Sequence, residues 1–221
     1  MRTHYYIIIF CLFSFFGLKA QQFEGGMLGG LDFCQVDGDT YSGYNKLGGL
    51  AGAYIRLPIS PKWSFRMEME FIAKGSVNHY NPNAIVDSTS GNVEYKNSTS
   101  YIEVPFLLEY NLKPALANKV SPDYLSKIKV FGGVSLGALM SHKEIIDYVE
   151  TNGIYPGFST LNLNMVFGLQ YLLSQRLTVD YRWDISLTSI RSSPWTGYVR
   201  RFGSKGGQYN NLMALSLMYK L

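Results

Sequence analysis

The clearest structural signal in the chain is the stretch WSFRMEMEFIAK, residues 63–74. Apolar and aromatic side chains alternate here with mostly polar ones, and a period of two places the two sets on opposite faces of a β-strand. The stretch LTVDYRWDISLT, residues 177–188, repeats the pattern. Strands of soluble sheets average about five or six residues, whereas a tilted strand needs about 9–11 residues to cross the hydrocarbon of a membrane. The length of both stretches therefore predicts membrane-crossing strands.

Six further segments of similar length fit the same description, although glycines interrupt three of them. In lipid an open sheet edge leaves unsatisfied N–H and C=O groups, so the sheet has to close. An even number of strands is also typical of single-chain bacterial barrels. The sequence therefore predicts an all-β fold, an eight-stranded antiparallel transmembrane β-barrel with up-and-down meander topology. The predicted strands are 26–36, 48–58, 63–74, 101–112, 128–141, 161–173, 177–188 and 209–221.

The connections between the predicted strands alternate in length, as short periplasmic turns and long outer loops do in such barrels. Residues 60–62 and 174–176 form tight turns, and the long polar connections are 37–47, 76–99, 142–159 and 191–208. The connection 113–127 breaks the alternation, and we predict a short helical turn within it. Pro105 cannot donate to a strand ladder, so we expect it at a bulge or another irregular spot.

Composition and the N-terminus agree with an exported membrane protein. Hydrophobic residues make up 47% of the chain and charged residues 16%, which excludes disorder. Residues 1–20 are predicted to be a cleavable signal peptide, leaving 21–221 as one barrel domain in the outer membrane. Cleavage would remove Arg2 and Lys19 and lower the formal net charge from +4 to +2, so the charge favours no nucleic-acid partner. Cys34 is then the one remaining cysteine, which excludes an intramolecular disulfide.

The inward faces of the predicted strands carry charges of both signs. Unpaired buried charge is costly, so the favoured interpretation is a salt-bridged network that plugs the lumen. A selective channel or a proton-linked site is the alternative interpretation of the same residues. The predicted lumen charge network consists of Arg66, Glu68, Glu70, Lys74, Glu103, Glu109, Lys129, Asp180, Arg182 and Asp184.

Three short motifs, in this order and spacing, resemble the PorT-like outer-membrane β-barrel family. They are GGLDF at residues 29–33, YIEVP at 101–105 and FGGVSLG at 131–137. The resemblance covers essentially the whole chain after residue 20. It implies an eight-stranded barrel in a Gram-negative outer membrane, and the founding member of the family is tied to protein secretion. The family offers no catalytic motif to carry over.

Three functions follow as hypotheses. The first is a structural or interaction role, in which the outer loops meet a protein partner. The second is a component of a protein-secretion machinery like the founder of the PorT family. The third is an outer-leaflet lipid-modifying enzyme using His79 and His142, both predicted in outer loops, and it is disfavoured because no triad spacing accompanies them. The chain is therefore interpreted as non-enzymatic, with no cofactor and no metal.

Further partners are expected from the surroundings of a barrel in the outer membrane. Outer-membrane lipid and lipopolysaccharide would contact the outside. The basic and aromatic loop 191–208 is interpreted first as a plain solvated loop with interface aromatics, and alternatively as a contact with lipopolysaccharide phosphates through Arg191, Arg200, Arg201 and Lys205. The alternating C-terminal residues Leu215, Leu217 and Tyr219 are typical of the signal that the barrel-assembly machinery reads, although Leu221 stands where an aromatic residue is usual.

Overall fold

Ten strands form in the computed structural model, which describes residues 23–39, 41, 43–78, 94–112, 127–151, 157–192 and 206–221. No helix within these ranges is long and apolar enough to cross a membrane. The predicted signal peptide lies outside them, as does the connection 113–127 with its predicted helical turn, except for its last residue. The strands are β1 Glu24–Asp37, β2 Lys46–Pro58, β3 Trp63–Asn78, β4 Tyr95–Asn111, β5 Ile128–Ile146, β6 Val149–Glu150, β7 Leu161–Leu172, β8 Leu177–Ser186, β9 Arg191–Ser192 and β10 Gly207–Lys220.

Eight long antiparallel strands close into a barrel. They follow the order β1-β2-β3-β4-β5-β7-β8-β10, and β10 returns to pair with β1 along its length, from Gly26 opposite Lys220 to Asp37 opposite Tyr209. The two-residue strands β6 and β9 extend β5 and β10 beyond the ring. The predicted eight-stranded up-and-down barrel is confirmed, and closure removes the free strand edges that lipid would not tolerate.

The barrel is apolar outside and largely polar inside. Met27, Leu31, Met69 and Leu215 are among the many large apolar side chains exposed on its outer surface. Where the strands approach the tight turns, the rings of Trp63 and Tyr110 pack at a tilt of 57° with their centroids 4.7 Å apart. Such a pairing is typical of the aromatic girdle at a membrane interface. The alternation recognised in the sequence is thus an alternation between lipid and lumen.

Both tight turns use the same side-chain chemistry. The Ser60 hydroxyl accepts hydrogen bonds from the backbone N–H groups of Lys62 and Trp63 at 3.3 and 3.1 Å, and the Ser174 hydroxyl accepts from those of Arg176 and Leu177 at 3.4 and 3.2 Å. A serine that bonds the backbone two or three residues later favours a compact turn. We call the end that carries these turns the periplasmic end, because short turns face the periplasm in bacterial barrels. The opposite end is the outer end.

Several strands run farther towards the outer end than predicted. Residues 76–78 and 95–99 were expected in a loop but belong to β3 and β4, and residues 142–146 continue β5. The apolar alternation stops where the barrel leaves the hydrocarbon, whereas backbone pairing needs no apolar side chains and continues. The strand predicted over 177–188 instead ends at Ser186, where the Thr188 hydroxyl accepts a hydrogen bond from the backbone of Leu163 at 2.9 Å.

Pro105 lies at an irregular spot, as expected. Pairing between β3 and β4 stops at Phe106 and resumes at Glu103 with the register unchanged, because proline supplies no N–H to the ladder. A change of register in β4 occurs elsewhere, between Ser100 and Tyr101 on the side facing β5.

Candidate functional site

The lumen holds the predicted charge network. Nine of its ten members are buried inside the barrel, and Lys129 lies partly exposed at the periplasmic end. In a ring of eight strands β3 and β8 occupy opposite walls, since four steps separate them in either direction. Contacts between these two strands therefore cross the full width of the lumen.

The crossing nearest the outer end is made by Lys74. Its ammonium lies 2.8 Å from Asp184 Oδ2 on the opposite wall and 2.7 Å from Glu103 Oε1 on neighbouring β4. Glu103 is held by further donors, since Asn164 Nδ2 and Ser135 Oγ lie 3.1 and 3.2 Å from its two oxygens. One buried cation thus pairs with two carboxylates, and Glu103 accepts additional hydrogen bonds from neutral side chains.

Arg182 makes the central crossing. From β8 its Nη1 reaches Glu68 Oε2 at 2.8 Å and Glu70 Oε2 at 3.3 Å, both on the far wall. Its Nε donates to Asp180 Oδ1, two residues away on its own strand, at 3.0 Å. The planar guanidinium presents five donors in a fixed fork, which suits three converging carboxylates better than an ammonium would.

Arg66 makes the next crossing, towards the periplasmic end. Its Nε lies 3.0 Å from Glu68 and 3.0 Å from Glu109, and its Nη1 lies 3.0 Å from Asp180 on the opposite wall. The guanidinium also stacks on Phe131, with its Cζ 4.6 Å from the ring centroid. That ring occupies space left by Gly168, where a Cβ would lie 2.6 Å from Phe131 Cζ.

Arg56 forms the crossing closest to the periplasmic end, and the sequence prediction missed it. Its Nε donates to Glu109 Oε2 at 2.7 Å, and its Nη2 donates to Gln170 on opposite β7 at 3.3 Å. Arg56 belongs to the segment 48–58, whose glycines obscure the alternation. Its even position, in step with buried Leu50 and Tyr54, is the signal that could have identified it.

One wall of the interior is mainly apolar. β10, β1 and β2 are neighbours in the ring, and they contribute Leu28, Leu50, Leu212 and Met218 to one buried cluster. Cys34 belongs to the same cluster and its thiol donates to Asp32 Oδ2 at 2.7 Å. Within the described ranges no group of three or more His, Cys, Asp or Glu side chains is placed to hold a metal ion.

A second polar cluster lies at the outer end around Glu144. Arg191 Nη2 lies 2.6 Å and Tyr95 Oη 2.8 Å from Glu144 Oε1, and Arg191 Nε donates to Gln208 at 2.6 Å. The guanidinium also covers the ring of Phe158, with its Cζ 4.7 Å from the centroid. Both interpretations of Arg191, as a solvated loop cation and as a contact for lipopolysaccharide phosphates, are therefore wrong, because this side chain is buried in an ion pair.

The remaining predicted loop residues divide in two. His142, predicted in a loop, belongs to β5, and its ring lies 5.2 Å from that of Phe158. His79, Arg200, Arg201 and Lys205 lie outside the described residues.

Asp39 is the titratable group of note beyond the membrane, two residues past β1. Ser76 donates to Asp39 Oδ2 at 2.5 Å, and the Tyr41 N–H donates to Oδ1 at 3.0 Å. Burial nevertheless dominates and raises the pKa of Asp39 to about 6, because removal from water disfavours the charged carboxylate.

A closed ring of long antiparallel strands with an apolar exterior and a charged interior defines an outer-membrane β-barrel protein. The chain belongs to the outer membrane protein beta-barrel domain family, whose model matches residues 19–192. No curated protein matches the chain.

The chain is also similar to several solved barrels. Ail, the attachment invasion locus protein of Yersinia pestis, in complex with the heparin analogue sucrose octasulfate, is 10% identical with a TM-score of 0.47, and the match covers 90% of this chain and 99% of that one. Neisserial surface protein A is 9% identical at a TM-score of 0.44, covering 90% and 96%. Acinetobacter baumannii CarO is 6% identical at 0.43, covering 89% and 97%. The family assignment depends on the family model and not on these likenesses.

Proposed function

We propose that this outer-membrane protein is a non-conducting, non-enzymatic barrel whose lumen is plugged by its own charged side chains and whose outer end contacts a partner. The observation that carries the proposal is the set of contacts across the lumen, from Lys74–Asp184 through Arg182–Glu68 and Arg66–Asp180 to Arg56–Gln170. Each contact occupies space that a permeating ion would need, in a barrel whose interior is just wide enough for side chains.

Energetics supports a static plug over a channel. Removing one partner of a buried pair costs about 3–5 kcal/mol, because the other charge stays buried without compensation. An ion passing through the lumen would have to separate several such pairs in succession. Channels conduct through sites that hold ions weakly, whereas these pairs lie at direct hydrogen-bonding distance.

A contact role at the outer end is supported by the hairpin between β5 and β6. Its tip residues Asp147 and Tyr148 have φ angles of 47° and 66°, and Tyr148 is 83% exposed. Two consecutive positive φ values are expected at Asn-Gly or Asp-Gly, and a large aromatic residue there is strained. An exposed aromatic held in this way suits contact with a protein or with lipopolysaccharide.

The PorT-like resemblance adds a narrower form of this proposal, in which the partner is part of a protein-secretion machinery. Deleting the gene would then change the set of secreted proteins, and an unchanged secreted proteome would reject this form alone. Export by a signal peptide at residues 1–20 is part of the proposal. N-terminal sequencing of the mature protein, together with outer-membrane fractionation and heat-modifiable gel migration, tests it.

Recording from planar bilayers tests the plug. The wild-type protein should give no long-lived ion-selective openings, and a Lys74→Ala/Arg182→Ala variant that still shows heat-modifiable migration should give openings or leak. Leu215→Ala, on the lipid face, serves as the matched control. Stable selective openings of the wild-type barrel would overturn the proposal.

A further inference from the structure

A cavity of about 180 Å³ opens at the periplasmic end, below the last crossing of the lumen. Its lining gathers cations from four separate places in the ring. Those cations are Arg56 from β2, Lys127 and Lys129 at the start of β5, Arg176 from the turn between β7 and β8, and Lys220 from β10, with Glu24 as the one lining carboxylate. A plugged barrel does not require such a cavity, so its purpose goes beyond the proposed function.

The carboxylates nearby do not balance these cations. Glu24 lies 2.5 Å from Lys220 Nζ and 3.4 Å from Arg56 Nη1. Glu109, behind the cavity, lies 2.7 Å from Arg56 Nε and 3.7 Å from Lys129 Nζ. Two carboxylates therefore face five basic groups.

Two of the cations have no counter-charge within the described residues. Lys127 forms no ion pair there, and Arg176 only approaches the Tyr219 hydroxyl, at 3.4 Å. A concave site lined by one sign of charge concentrates the electrostatic potential and raises the local concentration of opposite charge. The excess positive charge of the cavity therefore favours an anion.

We propose that this cavity binds a small oxyanion, a phosphate or carboxylate group of a soluble periplasmic molecule. Its volume exceeds the roughly 10–15 Å³ that one water needs and lies below the roughly 300 Å³ at which pockets for drug-sized ligands begin. Lysine and arginine side chains are the usual charge-assisted donors to both phosphate and carboxylate. The Arg56 side chain at the inner end of the cavity is preorganised, because its guanidinium is held by hydrogen bonds to Glu109 and Gln170.

Calorimetric titration of the full-length protein in nanodiscs of zwitterionic lipid tests the proposal. The probes are inorganic phosphate and succinate, each added at low and at high salt. Saturable binding of either probe with one site per barrel is expected, and salt should weaken it by screening. Binding of phosphate alone, or of succinate alone, identifies the oxyanion that the site prefers. Absence of saturable binding of both probes at low salt overturns the proposal.

Variants that remove a positive charge and a variant that removes a negative charge then locate the site. Lys127→Gln and Lys129→Gln should each weaken binding by about tenfold, the equivalent of one lost charge-assisted contact. Glu24→Gln should tighten it severalfold, because the one repulsive group is neutralised and its two cations become available. Lys62→Gln, in the exposed β2–β3 turn at the same end, is the matched control and should change nothing.

The expected changes in affinity have opposite directions, so a general loss of folding cannot produce both. Lys127 lies outside the strands and Glu24 at the first position of β1, so both variants should fold, as heat-modifiable migration will show. Binding that is unaffected by both Lys127→Gln and Glu24→Gln, or that falls equally in Lys62→Gln, places the oxyanion elsewhere and overturns the proposal.

Discussion

The interior of the barrel joins two unlike regions. β3 and β8 face each other and carry the ion pairs, whereas the wall formed by β10, β1 and β2 is built mainly from apolar side chains such as Leu28, Leu50 and Leu212. Met218 of that wall offers Arg66 only a thioether sulfur, 2.9 Å from Nη1. Because the apolar wall excludes water and supplies few partners, charges on β3 depend on carboxylates and cations across the lumen. The difference between the two regions indicates that the buried charges of β3 and β8 require their partners across the lumen, and the following variants test this requirement.

The largest effect is expected from Arg182→Met. The substitution keeps the volume but leaves Glu68, Glu70 and Asp180 without their shared cation, so the free energy of unfolding should fall by about 3–5 kcal/mol. Urea unfolding of the protein in lipid vesicles measures this loss. Arg182→Lys keeps the charge without the planar fork and should lose less. A loss below about 1 kcal/mol for Arg182→Met would mean that water enters the lumen and solvates the carboxylates.

Leu212→Ala probes the apolar wall and should cost somewhat less. The Leu212 side chain is 1% exposed, and truncating a buried leucine costs about 2–5 kcal/mol through lost burial and a cavity. The same unfolding experiment compares it with Leu215→Ala on the lipid face of the same strand. Equal losses for the two variants would contradict the assignment of Leu212 to a packed interior.

Gly168→Ala tests the packing beneath the charged region. The added methyl group would collide with the backbone carbonyl oxygen of Tyr181 on β8 and would lie 2.6 Å from Phe131 Cζ. It should therefore shift both the neighbouring strand and the ring on which Arg66 stacks, and overpacking of this kind costs about 1–3 kcal/mol. Gly157→Ala is the control, since a Cβ there meets nothing within 4 Å. Full stability of Gly168→Ala would show that β8 and the Phe131 ring can shift without disturbing the ion pairs.

The smallest effect concerns pH at the outer end. Because burial raises the pKa of Asp39 to about 6 in the folded protein, above the roughly 3.9 of an unfolded chain, folding favours the protonated acid. Its stabilising contribution is complete below about pH 4 and is lost as the pH rises through about 6. NMR titration of the Asp39 carboxyl carbon should give a midpoint near 6. Asp39→Asn should remove the step near pH 6 from the protection factors of the amides around Ser76, which are the exchange rates corrected for the intrinsic pH dependence of amide exchange. A midpoint near 4 would reject the burial argument.

Much of the barrel could be predicted from the sequence because lipid imposes a strict alternation on each strand. That constraint ends at the hydrocarbon boundary, which is why residues 95–99 and 142–146 were assigned to loops although they pair as strands. Within the membrane the failures occurred at glycines. Gly48 and Gly52 interrupt the pattern of β2, and Arg56 on the same face was overlooked.

Which charges meet across the lumen could not be predicted. Alternation identifies the inward residues of β3 and β8, but the pairing of Arg182 with Glu68, 114 positions away, depends on closure and on the stagger of the strands. Arg191 shows the same limit, because the basic composition of its segment suggested a loop cation whereas the fold brings it to Glu144. Charge pairs between residues far apart in the sequence can be identified only once the closed ring of strands is known.

The most direct measurement is the exchange of guanidinium protons with solvent, followed by NMR of the barrel in nanodiscs with labelled arginine. If the crossings close the lumen, the Nε–H and Nη–H protons of Arg66 and Arg182 will exchange slowly and give resolved signals, whereas those of exposed Arg176 will exchange fast. Fast exchange at Arg66 and Arg182, matching that of Arg176, would mean a water-filled lumen and would contradict the account.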